Sequence, residues 1–420
     1  MGAGVWADEL QRKEEFVGVR LHVPGSKSMT QRALLIGALA ARQTRIIGGV
    51  DCDDVEHLTG ALRALGTTIE REGDDILVRP GRLSATGQTL ELGNAGTALR
   101  FCAALSLVVE GEFTVDGDAR MRQRPVGPLG EALGRLGVRV TYGAATGCPP
   151  MTLERGSLPG ASVQVDGGIS SQFASGLLLV APRLDRGLAV CLTGTVVSAP
   201  YLRMTTTMMT RAGARVTWEE QTSIRVQPGA YFEGAEQAVV VVEPDWSAAS
   251  FLLAGGFVCG RKVEVDGLVE PERSCQGDAV FGRMLDELAA PTSHDFDLSA
   301  SPDLIAPLAI AALFASGPTC IHGVGHARLK ESDRIAVLAG ALRKVGADVE
   351  ERTDGLWIDP LRAMPASQVW LDPHGDHRMA MAFGVLSLRL PGVRVRDPGC
   401  VTKSFPSFWA QLDRLRSGGG

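Results

Sequence analysis

The sequence predicts an α/β fold of repeated units shared between two domains, and three observations predict it. The chain has 420 residues, more than a single hydrophobic core usually organises, so two domains are expected. One phrase recurs: ALRALGTTIERE (61–72), ALGRLGVRVTY (132–142), MTRAGARVTWEE (209–220) and ALRKVGADVEER (341–352). Each reads as a helix stopped by glycine and followed by an alternating strand. The spacing is the third observation. Gly66 to Gly137 is 71 residues and Gly137 to Gly213 is 76, whereas Gly213 to Gly346 is 133, with the related FGRMLDELAAP (281–291) in the gap. This gives about six units of roughly 70 residues, three to a domain, each too large for a solenoid repeat. A boundary is expected at 228–243, where a polar stretch gives way to the strand-like AVVVVE.

Taken along the chain, seven short loops rich in small residues and carrying a charge lead into apolar helices: PGSKSMTQRALLIGALA, GNAGTALRFCAALSLV, GGISSQFASGLLLVAP, PDWSAASFLLAGG, SPDLIAPLAIAALF, LKESDRIAVLAGAL and DPHGDHRMAMAFGVL. The free N–H groups of a helix start favour an anion, and small residues let a ligand approach the backbone. One such loop is ordinary helix capping; seven suggest a shared cleft. The first is not a Walker loop, because Ser26 stands where glycine should precede the lysine. It offers Lys27, Ser28 and Arg32 to one ligand, or else is a capped helix with a solvated first turn. In the second, Asn94, Gly96, Thr97 and Arg100 combine close approach with an amide and a guanidinium.

Between these loops, DARMRQRPVG alternates Arg120, Arg122 and Arg124. An extended backbone before Pro125 would put three guanidinium groups on one face, toward water or an anion. LKESDR sets Lys330 and Arg334 four apart with Glu331 and Asp333 interleaved, either an internal ion-pair ladder or a mixed acid, base and anion site. Asp303 in SPDL offers a second carboxylate at an apolar helix start, where burial tunes its pKa. His322 and His326 are four apart but lack the glutamate of HExxH, so no zinc is expected. Nor is there a nucleotide loop, a GxSxG elbow or a GxGxxG. A small substrate bearing phosphate and carboxylate groups, handled by general acid and base, is what remains.

Composition narrows the class further. With 45% hydrophobic and 21% charged residues the chain is an ordinary globular one. A net charge of −6 and only 5% aromatics argue against nucleic acid as a partner. The eight cysteines lie at least 16 residues apart, so they form no CxxC pair, and reduced buried thiols in a reducing compartment are expected. The start, MGAGVWADELQRKEEF, is too charged for a signal peptide and the apolar runs are too short to span a bilayer, so no membrane association and a cytoplasmic location are expected. SGGG at 417–420 reads as a disordered tail.

PGSKSxxxRALL, GNAGTALR, RMRQRPVGPL, SSQF, SAPYLRMT, SPD, LKESDR, GDHRMAMAF and KSFPSF stand in this chain in the order found in 5-enolpyruvylshikimate-3-phosphate (EPSP) synthases. The chain resembles that family from about residue 20 to 412. The resemblance implies the two-domain enolpyruvyl transferase fold, an inside-out α/β barrel with three βαβαββ units per domain. It would make residues 24–241 one domain and 1–23 with 242–420 the other, with the active site between them. It implies transfer of the enolpyruvyl group of phosphoenolpyruvate to the 5-hydroxyl of shikimate 3-phosphate, with release of phosphate, in aromatic amino acid biosynthesis. No metal or organic cofactor is implied, and a monomer is.

Carried over motif by motif, Lys27, Asp303 and Glu331 would be catalytic, Asp303 as base on the 5-hydroxyl and Glu331 in proton transfer. Shikimate 3-phosphate would meet Lys27, Ser28, Arg32, Ser170, Ser171, Gln172, Ser198, Tyr201, Asp303, His326 and Lys330. Phosphoenolpyruvate would meet Lys27, Asn94, Gly96, Arg124, Gln172, Arg334, Arg378 and Lys403. Departures are Thr30-Gln31 for a frequent Ser-Asn, His326 for a frequent Asn, Pro244-Asp245-Trp246 for a frequent Gly-Asp-Ala, and Phe101 for a frequent proline. The last is expected to bear on inhibitor response. The sister transferase acting on UDP-N-acetylglucosamine is disfavoured by the Arg-rich RMRQRP, and a binding protein that had lost turnover is disfavoured by the two carboxylates.

Overall fold

In the computed structural model, residues 18–143, 147–157, 160–363 and 368–418 are described. The charged start and the last two residues of the SGGG tail lie outside them.

The helices are α1 (Lys27–Ala38), α2 (Asp53–Ala64), α3 (Gly96–Leu105), α4 (Gly127–Arg135), α5 (Ser171–Val180), α6 (Ala199–Arg211), α7 (Trp246–Cys259), α8 (Phe281–Leu288), α9 (Ile305–Ala312), α10 (Arg334–Lys344), α11 (His377–Leu386) and α12 (Phe408–Ser417). All seven loop-to-helix segments begin a helix. The recurrent phrase ends as expected: Gly66, Gly137, Gly213 and Gly346 have φ of 110°, 95°, 89° and 89°. A side chain strains that left-handed region, and glycine does not.

Beyond the polar first turns that carry the cleft residues, these helices are apolar on every side, and an apolar helix without a solvent face must be enclosed. Accordingly α1, α3 and α5 pack on one another inside one large core that runs from Met29 to Val242. In the same way α7, α9 and α11 form the centre of a second core, with every residue of α9 buried. Sheets lie outside these triplets, and strands such as Thr44–Ile47 and Ser162–Asp166 alternate buried and exposed residues, the mark of a sheet with one wet face.

Four sheets share one plan, a parallel edge pair followed by two antiparallel strands. Thr89–Glu91, Glu112–Asp116, Met151–Arg155 and Val138–Tyr142 form one. Ser162–Asp166, Leu188–Thr193, Ser223–Val226 and Val216–Glu220 form the next, and His294–Asp297, Thr319–His322, Gly355–Ile358 and Val349–Arg352 a third. In the fourth, Val239–Val241 returns to pair with Thr44–Ile47, beside Asp75–Arg79 and Thr68–Glu72. Among the described residues the two remaining sheets are parallel pairs, Val19–Leu21 with Val263–Val265 and Val369–Leu371 with Val393–Val395.

The chain passes between the two cores twice, and the passages are stitched together. Ser26 N–H donates to Glu243 O at 2.7 Å and Asp245 N–H to Pro24 O at 2.9 Å. The Asp245 carboxylate caps α7 through Ala248 N–H at 3.0 Å and accepts from Lys27 N–H at 3.1 Å. This crossover holds the start of α1, and Lys27 with it, at the seam.

Candidate active site

The helix starts of both halves face one cleft of about 890 Å³, open solvent at its mouth included. Lys27, Ser28, Arg32, Gly96, Arg124, Ser170, Ser171, Gln172, Ser198, Tyr201, Asp303, His326, Lys330, Glu331, Arg334 and Arg378 all line it. Counting Arg100 and Asp54, seven cations and three carboxylates form the wall. So large a positive surplus, largely shielded from water, is suited to ligands with several negative charges.

Asp303 is the centre of the second half's contribution. Its Oδ1 accepts from Lys330 Nζ at 2.6 Å and Arg334 Nη1 at 2.7 Å, and its Oδ2 lies 3.1 Å from Arg378 Nη2. Burial pushes its carboxyl upward, but Arg378, Lys330 and Arg334 overcome this and hold it well below the usual range. Burial lowers Lys330 despite Asp303. Three cations serve Asp303 whereas Lys330 shares that one carboxylate, so the carboxylate is ionised and the pair forms. Arg334 is 1% exposed and also binds Glu331 Oε2 at 2.9 Å and Asp376 Oδ2 at 2.8 Å. Asp376 caps α11 through Arg378 N–H at 3.0 Å. Burial raises the Glu331 carboxyl too, and Arg124, at 3.6 Å, with Arg334 brings it well below its ordinary value.

In the first half, Asp54 joins both halves: Lys27 Nζ donates to its Oδ2 at 2.7 Å and Lys403 Nζ, from the second half, to its Oδ1 at 2.6 Å. Burial alone would raise Asp54; the two ammonium groups lower it. Arg32 is locked by Thr205 Oγ1 at 2.8 Å and Ser28 O at 2.8 Å. Gln172 donates to Thr97 Oγ1 at 2.9 Å. Tyr201 OH reaches Asp303 Oδ2 at 3.3 Å and Asp278 Oδ2 at 3.4 Å.

Two residues expected at the ligand stand one layer back. Asn94 accepts from Arg124 Nη1 at 2.9 Å through Oδ1, and its carbonyl accepts from Lys403 Nζ at 2.7 Å. Both cations are thereby positioned by the loop before α3. The start of α7 is also behind the wall, so six of the seven helix starts, not all, supply lining residues.

The three alternating arginines do not share one face. Asp118 Oδ1 accepts from Met121 N–H at 2.7 Å and turns Met121–Gln123 into a 3-10 turn, a local side-chain bond that competes with extension. Arg122 then pairs with Asp116 at 2.6 Å, Arg124 enters the cleft, and Arg120 crosses to the other half. There it donates to Lys330 O at 2.8 Å and Glu331 O at 3.1 Å. Arg124 itself is extended, as its place before Pro125 predicts.

The departures also find places. The buried Phe101 ring lies 5.5 Å from the Arg32 guanidinium, so it supports a cation at the back of the cleft. Trp246 donates to Val269 O at 2.8 Å, packed beside the crossover. His326 lines the cleft with its pKa lowered to about 4 by burial and then by Lys330, and is therefore neutral. His377 is 1% exposed and kept neutral by burial, Lys27 and Arg378.

Comparison with known proteins decides the family. The EPSP synthase (3-phosphoshikimate 1-carboxyvinyltransferase) model matches residues 12–412. The chain belongs to the EPSP synthase family. The 3-phosphoshikimate 1-carboxyvinyltransferase of Shewanella oneidensis is 37% identical over 428 residues, covering 96% of this chain and 99% of that protein. Its counterpart in Shewanella denitrificans is 38% identical over 416 residues, covering 94% and 96%. An EPSP synthase structure from Acinetobacter baumannii superposes with a TM-score of 0.75 at 23% identity over 95% of this chain and 96% of its own, which shows the fold. Membership of the EPSP synthase family makes the chain a transferase of aromatic amino acid biosynthesis.

Sequence reasoning missed Asp54, Asp278 and the reach of Arg120. Asp54 sits in DDVEHL, which reads as an acidic first turn suited to a helix dipole. Only its pairing with Lys403, 349 residues away, reveals another role.

Proposed function

We propose that this cleft transfers the enolpyruvyl group of phosphoenolpyruvate to the 5-hydroxyl of shikimate 3-phosphate through a tetrahedral adduct that then expels phosphate. The observation that supports it most is the Asp303 cluster, a carboxylate gripped by Lys330, Arg334 and Arg378 within a surplus of cations. An incoming phosphate or carboxylate competes for those cations. As they turn to the ligand, Asp303 loses its stabilisation and its proton affinity rises, so the base is armed by substrate binding. Lys27, Ser28, Arg32, Ser170, Ser171, Gln172, Ser198, Tyr201, His326 and Lys330 hold shikimate 3-phosphate. Arg124, Arg334 and Arg378 hold phosphoenolpyruvate over Gly96, with Asn94 orienting Arg124 from behind and Lys403 sharing the Asp54 carboxylate with Lys27. Lys27 and Glu331 handle the proton at the methylene carbon. The domains are residues 24–241 and 1–23 with 242–420, and the enzyme acts as a cytoplasmic monomer without metal or nucleic acid.

The test is inorganic phosphate release by purified protein with both substrates, with each omitted and with EDTA added. Release requiring both and surviving EDTA supports the reading. A folded protein that binds shikimate 3-phosphate without turnover is instead a binding protein.

Gly96 gives a sharper prediction. A Cβ there would lie 2.5 Å from Arg124 Nη2 and 2.6 Å from Arg100 Nη1, so Gly96→Ala must push the Arg124 guanidinium aside. Phosphoenolpyruvate KM is expected to rise several-fold while shikimate 3-phosphate KM holds. Glyphosate, which competes for the phosphoenolpyruvate site in this family, is expected to inhibit the parent and to inhibit the variant less. Equal inhibition of both would remove Gly96 from that site.

A further inference from the structure

Behind Tyr201 lies a carboxylate that the roles above do not use. Asp278 is 2% exposed. Its Oδ2 accepts from Ser247 at the start of α7 and faces Tyr201 OH at 3.4 Å, while the same hydroxyl faces Asp303 Oδ2 at 3.3 Å. Its other oxygen, Oδ1, is buried with no hydrogen-bond partner among the described residues. A tyrosine hydroxyl carries one proton and can donate to only one of two carboxylates at a time. Its hydroxyl is therefore a switch between them, and a carboxylate with a dry, unsatisfied oxygen is poised to receive a proton.

We infer that Asp278 is the terminal acceptor of a proton relay from Asp303 through the Tyr201 hydroxyl. The inference rests on the function proposed above. As the 5-hydroxyl oxygen bonds to the electrophilic carbon, its O–H bond breaks and Asp303 takes the proton. Asp303 passes that proton to Tyr201 Oη while Tyr201 gives its own to Asp278 Oδ2, so Tyr201 ends neutral and Asp303 ends ionised again. No electron changes hands. Asp278 is a positioning and proton-holding residue that acts through Tyr201 rather than on substrate.

The electrical surroundings give this relay its direction. Asp278 is faced by Asp303, Arg378, Ser247, Asp245 and Tyr201. Burial and the negative Asp303 raise its pKa to about 6, against the opposing pull of Arg378 and Ser247. With Arg378, Lys330 and Arg334 on it, Asp303 is held well below the ordinary range, so the proton passes downhill to Asp278 as those cations return to Asp303. The relay is open when Asp278 is ionised and closes as pH falls through its pKa.

The experiment is the pH profile of kcat for the full chain, by phosphate release at saturating substrates, in the parent, Asp278→Asn, Tyr201→Phe and Ser247→Ala. The parent should lose activity below about pH 6, and Ser247→Ala, which removes a bond favouring ionised Asp278, should move that limb to higher pH. Asp278→Asn and Tyr201→Phe should each lower kcat at pH 7 at least tenfold, and Asp278→Asn, which lies behind the cleft wall, should keep shikimate 3-phosphate KM within twofold. Their double variant should be no slower than the worse single. Should Asp278→Asn fail to fold, Ser247→Ala and Tyr201→Phe decide alone. A kcat within threefold of the parent in Tyr201→Phe, or an acid limb that Ser247→Ala leaves in place, overturns the relay. A parent that releases no phosphate overturns the function itself, a distinct result.

Discussion

Asp303→Asn is expected to lower kcat by about 10²–10⁴, the range that a positioned general base contributes. The amide keeps the shape of the carboxylate but cannot accept the 5-hydroxyl proton. It also releases Lys330, Arg334 and Arg378, which the carboxylate now holds at 2.6, 2.7 and 3.1 Å. Those cations are then freer for ligand anions, so substrate affinity should be kept or improved while turnover collapses. That split between kcat and KM separates loss of a base from loss of a binding group. It would be measured by steady-state phosphate release with both substrates varied. Near-native turnover would take Asp303 out of the mechanism.

Asp54→Asn carries the second large effect, and it falls on stability. Asp54 is 3% exposed and joins Lys27 and Lys403, two ammonium groups from opposite halves, at 2.7 and 2.6 Å. Removing one partner of a buried ion pair leaves uncompensated charge and costs about 3–5 kcal/mol. The variant should unfold at distinctly lower denaturant concentration, and added inorganic phosphate should recover part of the loss by supplying the missing counter-charge. The same carboxylate shapes acid stability. Asp54, Asp303 and Glu331 all have lowered folded pKa values against ordinary values of 3.8, 3.8 and 4.5. Their contribution is fully present above those ordinary values and is lost as pH falls below them through the lowered ones. The parent should therefore lose stability steeply below about pH 4.5, and Asp54→Asn, lacking one of the three, less steeply. An unfolding free energy within about 1 kcal/mol of the parent's would show that Asp54 does not compensate the two lysines.

Local chemistry made much of this protein legible from residue order alone. The repeating helix, glycine and strand phrase is written in propensities that act within a few residues, so the six-unit plan and the left-handed glycines could be read directly. Apolar helices without a polar stripe, such as IAPLAIAA, had to be interior for the same reason. The nine ordered motifs identified the family and gathered most of the cleft, because helix starts with small residues and charges are locally encoded anion sites.

Tertiary structure decided what depends on distance in space. Arg120, Arg122 and Arg124 look equivalent in sequence, yet the Asp118 turn sends one across the cleft, one to Asp116 and one into the site. Asn94 and Lys403 carry ligand-like chemistry but are not among the lining residues: Asn94 is engaged by Arg124, and Lys403 by Asp54 and the Asn94 carbonyl. Asp54 reads as an ordinary first-turn acid, and Asp278 belongs to none of the motifs. Their meaning comes from burial beside cations or a second carboxylate supplied by distant segments, and Coulomb interactions at 3 Å in a dry cleft follow proximity rather than sequence spacing.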